Sequence, residues 1–314
     1  NLSFRRPDEW ASRPMPVATG GPADSPVSST AVLLGDGSTG PALLLLHLPP
    51  GVSLPAAGAH GHASDTWRMP LAGTLAMGPD TYGPGDFRFQ PGWRPYASDN
   101  LAEGPDGGWT ALLFGDRRGL RVRPVQPEGP PIGPLDRAAG RWLRIGGDLV
   151  SDDPDDAPGP STLSTTLSGL SSRPGRARVN GSFGETAEWF RFGEGFLAAG
   201  LLGHPASGPL LLLARIPDGG RPLGSYTFGT EVLRLVVRGS CRIGDDWYGP
   251  GDIRVEHAGS GGPAVAGAGG VDEVVLIADR RALRPGAVRD AAWSAALGAL
   301  TADLGGRAFT GSAR

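Results

Sequence analysis

"WRMPLAGTLAMGPDTYGPGDFRFQ", Trp67–Gln90, lies without a gap over "LRLVVRGSCRIGDDWYGPGDIRVE", Leu233–Glu256. Arg68 meets Arg234, Gly73 meets Gly239, Gly78 meets Gly244, and the "YGPGD" of Tyr82–Asp86 recurs at Tyr248–Asp252. Upstream, "GPALLLLHLPPG" is echoed by "GPLLLLARIPDG", and downstream "FGDRRGL" is echoed by "IADRRAL". The spacing shifts slightly in those flanks, as loop insertions produce. The chain therefore contains itself twice, at a period of roughly 165 residues. Two copies imply two similar domains, or one pseudo-symmetric pair of packed sheets. Residues 151–178, "SDDPDDAPGPSTLSTTLSGLSSRPGRAR", are acidic and then rich in Ser, Thr and Pro, with few large apolar side chains; they read as a linker or loop. The expected organisation is a first domain over 1–135, a connection over 136–180 and a second domain over 181–314.

Composition narrows the class. The 314 residues carry a formal net charge of -3 and no basic block, which argues against nucleic acid or an anionic membrane as partner. All 29 basic residues are Arg, since the sequence has no Lys. The single cysteine, Cys241, excludes an internal disulfide framework and a thiolate metal cluster. The first ten residues show no apolar signal-peptide core, and the apolar run "ALLLL" falls far short of the ~20 residues that cross a bilayer. The expectation is a soluble, cytoplasmic protein.

Gly (52) and Pro (31) punctuate short Val/Leu/Phe runs, the pattern of many short strands joined by tight turns. Helix is expected only near the end. There Asp290 can cap "AAWSAALGALTADL", with Trp293, Leu297, Leu300 and Leu304 on one stripe.

Two stretches of the first copy carry chemistry. "GVSLPAAGAHGHASDTWRMPLAGTL" places His60 and His62 one residue apart, on one face of a strand, and "YGPGDFRFQPGWRPY" follows with a Pro-Gly-Asp turn. In these motifs the chain resembles the cupin superfamily over about residues 40–120 and, in backbone signals alone, over 208–284. Two such copies resemble a bicupin, and within the superfamily the halves look most like the cupin domains of anti-sigma factors and their uncharacterised relatives. The resemblance implies an all-β fold: tandem double-stranded β-helix barrels of the jelly-roll, cupin-like type, with a short C-terminal helix. It also implies small-molecule chemistry of many kinds, because the fold hosts dioxygenases, isomerases, decarboxylases and sensors. Cupin barrels commonly dimerise through their edges, so a homodimer is a further expectation.

A cupin ion is held by three His and one Glu facing into the barrel. His60 and His62 match the first two. The Glu falls at Thr66 and the last His at Tyr96, so two of the four ligands are replaced. Asp65, one residue off the Glu position, or Gln90 could complete a loose site for one divalent ion (Fe, Mn, Zn or Ni), reached by Asp65 only through a bulge. Two other readings stay open: relic histidines hydrogen-bonded inside the pocket, and a metal-free site with one His as base. In the second copy Tyr226, Phe228 and Val232 stand at the first three ligand positions, which holds no metal.

Strand parity puts Arg68, Arg88 and Gln90 toward the barrel interior, away from Phe87 and Phe89. A buried guanidinium needs an acceptor. In the second copy Arg254 with Glu256 supplies one, or Arg with the turn acids Asp86 and Asp252. In the first copy Gln90 stands where Glu256 does, so a bound organic anion is a candidate partner of Arg88. Trp67, Tyr82, Trp93 and Tyr96 are candidate pocket walls, with Thr66 and Arg68 among the ligand contacts. The functional expectation is an enzyme acting on an oxygenated organic metabolite in the first barrel. It would be a metal-dependent oxygenase or isomerase, or a metal-independent cyclase, isomerase or lyase in which His60 or His62, Arg88 and Tyr96 work. The alternative is a ligand- or metal-sensing module without turnover.

Overall fold

The computed structural model describes residues 2–3, 28–35, 40–48, 50, 53–62, 64–77, 80–90, 96–101, 107–120, 122–124, 142–144, 167–168, 179–187, 189–203, 208–222, 228–282 and 295. Among them strands dominate, with short 3-10 turns at Arg117–Leu120 and Arg280–Ala282. No described helix is long and apolar enough to cross a membrane. Trp293, Leu297, Leu300 and Leu304 of the expected C-terminal helix lie outside the described residues.

The Gly-Pro-Gly-Asp turn is built identically in both copies. Gly83 N–H donates to Asp86 Oδ2 at 2.9 Å, and Asp86 N–H returns a bond to Gly83 O at 3.0 Å. The equivalent bonds from Gly249 to Asp252 and back are 2.8 and 2.9 Å. Gly85 and Gly251 sit at φ +91° and +86°, a left-handed conformation that a side chain would strain. The turn carboxylates are thus occupied by backbone amides, which answers one open question: they close the turn and do not pair with the barrel arginines. Each turn delivers a strand, Asp86–Gln90 or Asp252–Glu256, back along Thr66–Ala72 or Val232–Ile243.

In the first copy a seven-stranded sheet runs in the order Trp142–Arg144, Ser28–Leu33, Ala42–Leu48, Gly108–Phe114, Thr66–Ala72, Asp86–Gln90, Val179–Ser182. A five-stranded sheet faces it: Val122–Pro124, Ser53–His62, Tyr96–Leu101, Leu75–Met77, Asp80–Tyr82. The second copy repeats the large sheet around Val232–Ile243, Ala264–Ile277 and Leu210–Ile216.

Alternation along the strands divides the large sheets into two faces. One face carries Leu43, Leu45, Trp67, Met69, Phe87, Phe89 and Leu113, and these merge with Leu211, Leu213, Leu233, Leu235, Ile253, Val274 and Leu276 in a single buried cluster. The two copies therefore pack sheet on sheet and share one core. The opposite face lines each barrel.

Two strands cross between copies. Leu2–Ser3 pairs with Asp252 and Ile253 of the second sheet, and Val179–Ser182 pairs with Asp86–Phe89 of the first. Hydrogen bonding thus runs across the boundaries drawn along the chain at 1–135 and 181–314. A second internal match marks these strands: "NLSF" at Asn1–Phe4 and "NGSF" at Asn180–Phe183 are each followed by Glu-Trp, at Trp10 and Trp189. Phe183 and Trp189 pack on Phe87 of the first copy, with ring centroids 6.0 and 6.5 Å away.

A reciprocal clamp locks the shared core. Asp65 Oδ2 accepts the Gly203 N–H at 3.2 Å, while its counterpart Glu231 accepts the Gly35 N–H through Oε2 at 2.6 Å. Arg117 donates to the carbonyls of Leu34 and Gly35, and Arg280 to those of Leu202 and Gly208. The backbones touch where Gly115 meets Gly203: a Cβ on either would lie 2.3–2.4 Å from the other's backbone.

Candidate functional site

The inner face of the first large sheet is ordered by its register. One row reads Phe114, Thr66, Gln90; the next reads Leu112, Arg68, Arg88. Rows two residues apart on a strand are separated by roughly 7 Å. Thr66, Arg68, Arg88 and Gln90 are all buried. Leu44, Leu46, Leu112 and Phe114 supply the apolar part of this face. Thr110 lies on the same face, one row beyond Leu112 and opposite Pro70.

His62 closes one end. It sits in the smaller sheet, paired with Val122, and its ring lies against Phe114 at 5.0 Å. Its Nδ1 is 2.7 Å from the Gly119 carbonyl oxygen. A carbonyl can only accept, so Nδ1 carries the proton and Nε2 is the basic nitrogen. His60 shares that strand and stands directly opposite Tyr96 in register. Tyr82 is buried with Leu75 and Met77, and its hydroxyl donates to Asp80 at 3.4 Å. Arg68 reaches Met77, Nη1 to Sδ 3.5 Å.

Two expected residues lie elsewhere. Trp67 is fully buried on the opposite face, in the core shared by the copies, because its odd position follows the alternation of Phe87 and Phe89. Asp65 faces Gly203 of the other copy and closes the clamp, so no bulge turns it toward the histidines. Trp93 lies outside the described residues.

The donors in place do not fit the ion site the resemblance implies. The Glu position holds Thr66, whose hydroxyl donates to the Ser64 carbonyl at 3.3 Å. Asp65 bonds the Gly203 amide, and among the described residues the buried guanidiniums of Arg68 and Arg88 on the inner face repel a dication. Among the described residues no three His, Cys, Asp or Glu side chains gather.

The second barrel repeats the rows with one systematic change. Arg234 faces Arg254, and Val232 faces Glu256. Glu256 bridges both arginines: Oε1 accepts from Arg254 Nε at 2.8 Å and Oε2 from Arg234 Nε at 3.2 Å. Tyr248, the counterpart of Tyr82, accepts from Arg254 Nη1 at 2.8 Å. A second acid, Glu273, is buried 3.9 Å from Arg234 Nη1. Phe228 and Val232, at ligand positions of the resemblance, are packed into an apolar cluster with Cys241 and Tyr248. Tyr226 lies outside the described residues.

Glu273 is the one participant that the sequence comparison missed. It stands opposite Val236 as Thr110 stands opposite Pro70, so the two are equivalent. The signal was present: carrying the "FGDRRGL"/"IADRRAL" match four residues back from Phe114 and Ile277 places Thr110 over Glu273. The carbonyl of Gly119 that orients His62 left no such trace.

No protein-family model matches the sequence, and no curated protein matches it. Solved structures do. A cupin 2 conserved barrel domain protein from Leptotrichia buccalis matches at 10% identity and TM-score 0.44, over 83% of this chain and 91% of that one. A salicylate 1,2-dioxygenase from Pseudaminobacter salicylatoxidans matches at 13% and 0.46, over 79% and 76%. Oxalate decarboxylase from Bacillus subtilis matches at 14% and 0.39, over 77% and 69%. The fold described here is all-β, two similar copies built around large antiparallel sheets. The first barrel departs from the resemblance at the ligand positions and from its own second copy at the acids facing its arginines.

Proposed function

We propose that the first barrel is the working one and that it catalyses a metal-independent proton transfer on a small oxygenated organic molecule, as an isomerase, cyclase or lyase does. The observation that carries this reading is His62, buried and held by its Nδ1–H on the Gly119 carbonyl, in a barrel whose inner face bears two buried arginines. The carbonyl contact presets the tautomer in which Nε2 is the base. A carbon acid next to a carbonyl would give its proton to Nε2. The C–H electron pair moves into the carbonyl, and the resulting enolate oxygen is stabilised by guanidinium N–H donors. Where the substrate carries an α-hydroxyl, its proton passes to the enolate oxygen and the proton on Nε2 returns to the former carbonyl carbon, which completes an isomerisation with no oxidant.

The test is hydrogen–deuterium exchange. The chelated, metal-free protein is incubated in D2O with pyruvate, 2-oxoglutarate, dihydroxyacetone and acetylacetone, and C–H loss is followed by NMR. At least one compound is expected to exchange ten-fold or more above background, and His62→Gln is expected to abolish that excess. Exchange that needs an added divalent metal, or that survives His62→Gln, overturns the proposal. Binding without exchange favours the sensing module.

A further inference from the structure

The clamp between the copies has two arms, and each ends on a short turn. In the first copy that turn is Arg117–Leu120, which carries the Gly119 carbonyl. Buried Arg117 donates from Nη2 to the carbonyls of Leu34 and Gly35 at 3.0 and 3.2 Å, and its N–H donates to the Gly40 carbonyl at 3.0 Å. The Gly35 N–H donates in turn to Glu231 Oε2 of the second copy at 2.6 Å. The Leu34 carbonyl and the Gly35 N–H belong to one peptide group, so a guanidinium and a carboxylate polarise a single amide from its two sides. The other arm runs from Asp65 through the Leu202–Gly203 peptide to Arg280 and the turn Arg280–Ala282. The two arms differ in what they reach. Where the first copy has His62, Phe114 and Gly119, the second has Phe228, Ile277 and Ala282. The arm from Glu231 ends on an imidazole, and the arm from Asp65 ends on a turn with none.

We infer that Glu231 of the second copy is a positioning residue for His62: by anchoring the Leu34–Gly35 peptide it holds Arg117 and the turn whose Gly119 carbonyl fixes the imidazole proton on Nδ1. This rests on the proposed function in taking His62 as the base. The tolerance at the turn is small. Nδ1 and the Gly119 oxygen are 2.7 Å apart. A contact lengthened by about 1 Å is no longer a hydrogen bond. Glycine at 119 is what permits so close an approach, because a Cβ there would lie 2.5 Å from Phe114 Cδ1, in the ring that His62 also packs against. Released from the carbonyl, the imidazole can carry its proton on Nε2, which then has no lone pair with which to accept one. A carboxylate in the second copy thereby governs which nitrogen of the first barrel is basic.

The experiment reads the His62 ring nitrogens of the full, chelated chain by long-range 1H–15N NMR, at a pH where the imidazole is neutral. His62→Gln assigns the signals. The natural protein is expected to show Nδ1 protonated. Glu231→Ala is expected to raise the Nε2-protonated share about ten-fold, and Glu231→Gln, which keeps the shape without the charge, about three-fold. Gly119→Ala, which displaces the carbonyl from within the first copy, is expected to match Glu231→Ala. His47, stacked on Trp109 at 4.0 Å, serves as the internal control and is expected to stay unchanged. For any compound that exchanges, Glu231→Ala is expected to lower kcat about ten-fold and to leave KM within about two-fold. An unchanged His62 spectrum in Glu231→Ala, or in Glu231→Gln should the alanine variant fail to fold, overturns the inference. A shift that His47 shares equally overturns it too, since that reports general loosening. The two readings fail separately. A tautomer shift without exchange in any form of the protein leaves the positioning role standing, and His62-dependent exchange that Glu231→Ala leaves untouched in both spectrum and rate leaves the proton-transfer reading standing.

Discussion

In the second barrel Glu256 bonds both arginines, Tyr248 takes a further bond from Arg254, Glu273 lies 3.9 Å from Arg234, and apolar side chains pack around them. The first barrel keeps the arginines and the tyrosine, loses both acids, and gains His60 and His62 where its twin has Tyr226 and Phe228. Duplicated barrels with the same turns and the same strand order have thus been given different interiors. One interior contributes to stability through internal pairing. The other keeps two buried guanidiniums and adds a buried imidazole oriented by the Gly119 carbonyl.

That contrast can be broken most severely at Glu256. Glu256→Gln keeps the shape but removes the carboxylate shared by the buried Arg234 and the half-buried Arg254, and a loss of about 3 kcal/mol is expected from denaturant unfolding. A loss below about 1 kcal/mol would show that the second pair is not what balances the barrel. Next in size is the joint between the copies. Gly203 has φ +65° and a Cβ there would sit 2.4 Å from the Gly115 oxygen. Gly203→Ala is therefore expected to destabilise the whole chain, on the order of 3 kcal/mol, with both barrels unfolding together in one transition. Two separated transitions would contradict the shared core.

A smaller effect is expected at Asp65. Asp65→Ala removes the acceptor of the buried Gly203 N–H, for a loss of about 2 kcal/mol, while the His62-dependent exchange stays within two-fold. Lost exchange with unchanged stability would return Asp65 to the ligand site.

The last effect is absent at neutral pH, appears only in alkali and concerns Cys241, whose equivalent in the first barrel is Leu75. Burial pushes its thiol from 9.0 up to about 12, with the nearby Glu273 adding to the rise. The unfolded thiol ionises first, so the stability this group contributes is complete below about pH 9 and is lost progressively between there and pH 12. Stability is expected to fall over that window by up to about 1.4 kcal/mol per pH unit more steeply than in Cys241→Val. Alkylation of the folded protein at pH 8 is expected to be negligible. Rapid alkylation would place the thiol outside the core.

The duplication, the all-β class, the Gly-Pro-Gly-Asp turns and the inward parity of Arg68, Arg88 and Gln90 were legible in the residues. These are local properties: a turn needs a left-handed glycine, and a strand alternates its faces whatever surrounds it. The Arg254–Glu256 pair was legible too, because its members are two apart on one strand. Distance in the chain hid the rest. Trp67 reads equally well as a pocket wall until the second sheet covers its face. Asp65 reads as a displaced metal ligand until the Gly203 amide arrives from the other copy. Leu2–Ser3 reads as part of the nearer barrel until it pairs with the farther one. Sequence by itself determined that there are two barrels and which side chains face into each. Only the tertiary structure decided that the barrels share a core, that Asp65 belongs to that joint, and that Thr110 stands where Glu273 does. Those decisions depend on strands far apart in the chain meeting in one register, and spacing along the chain does not encode that meeting.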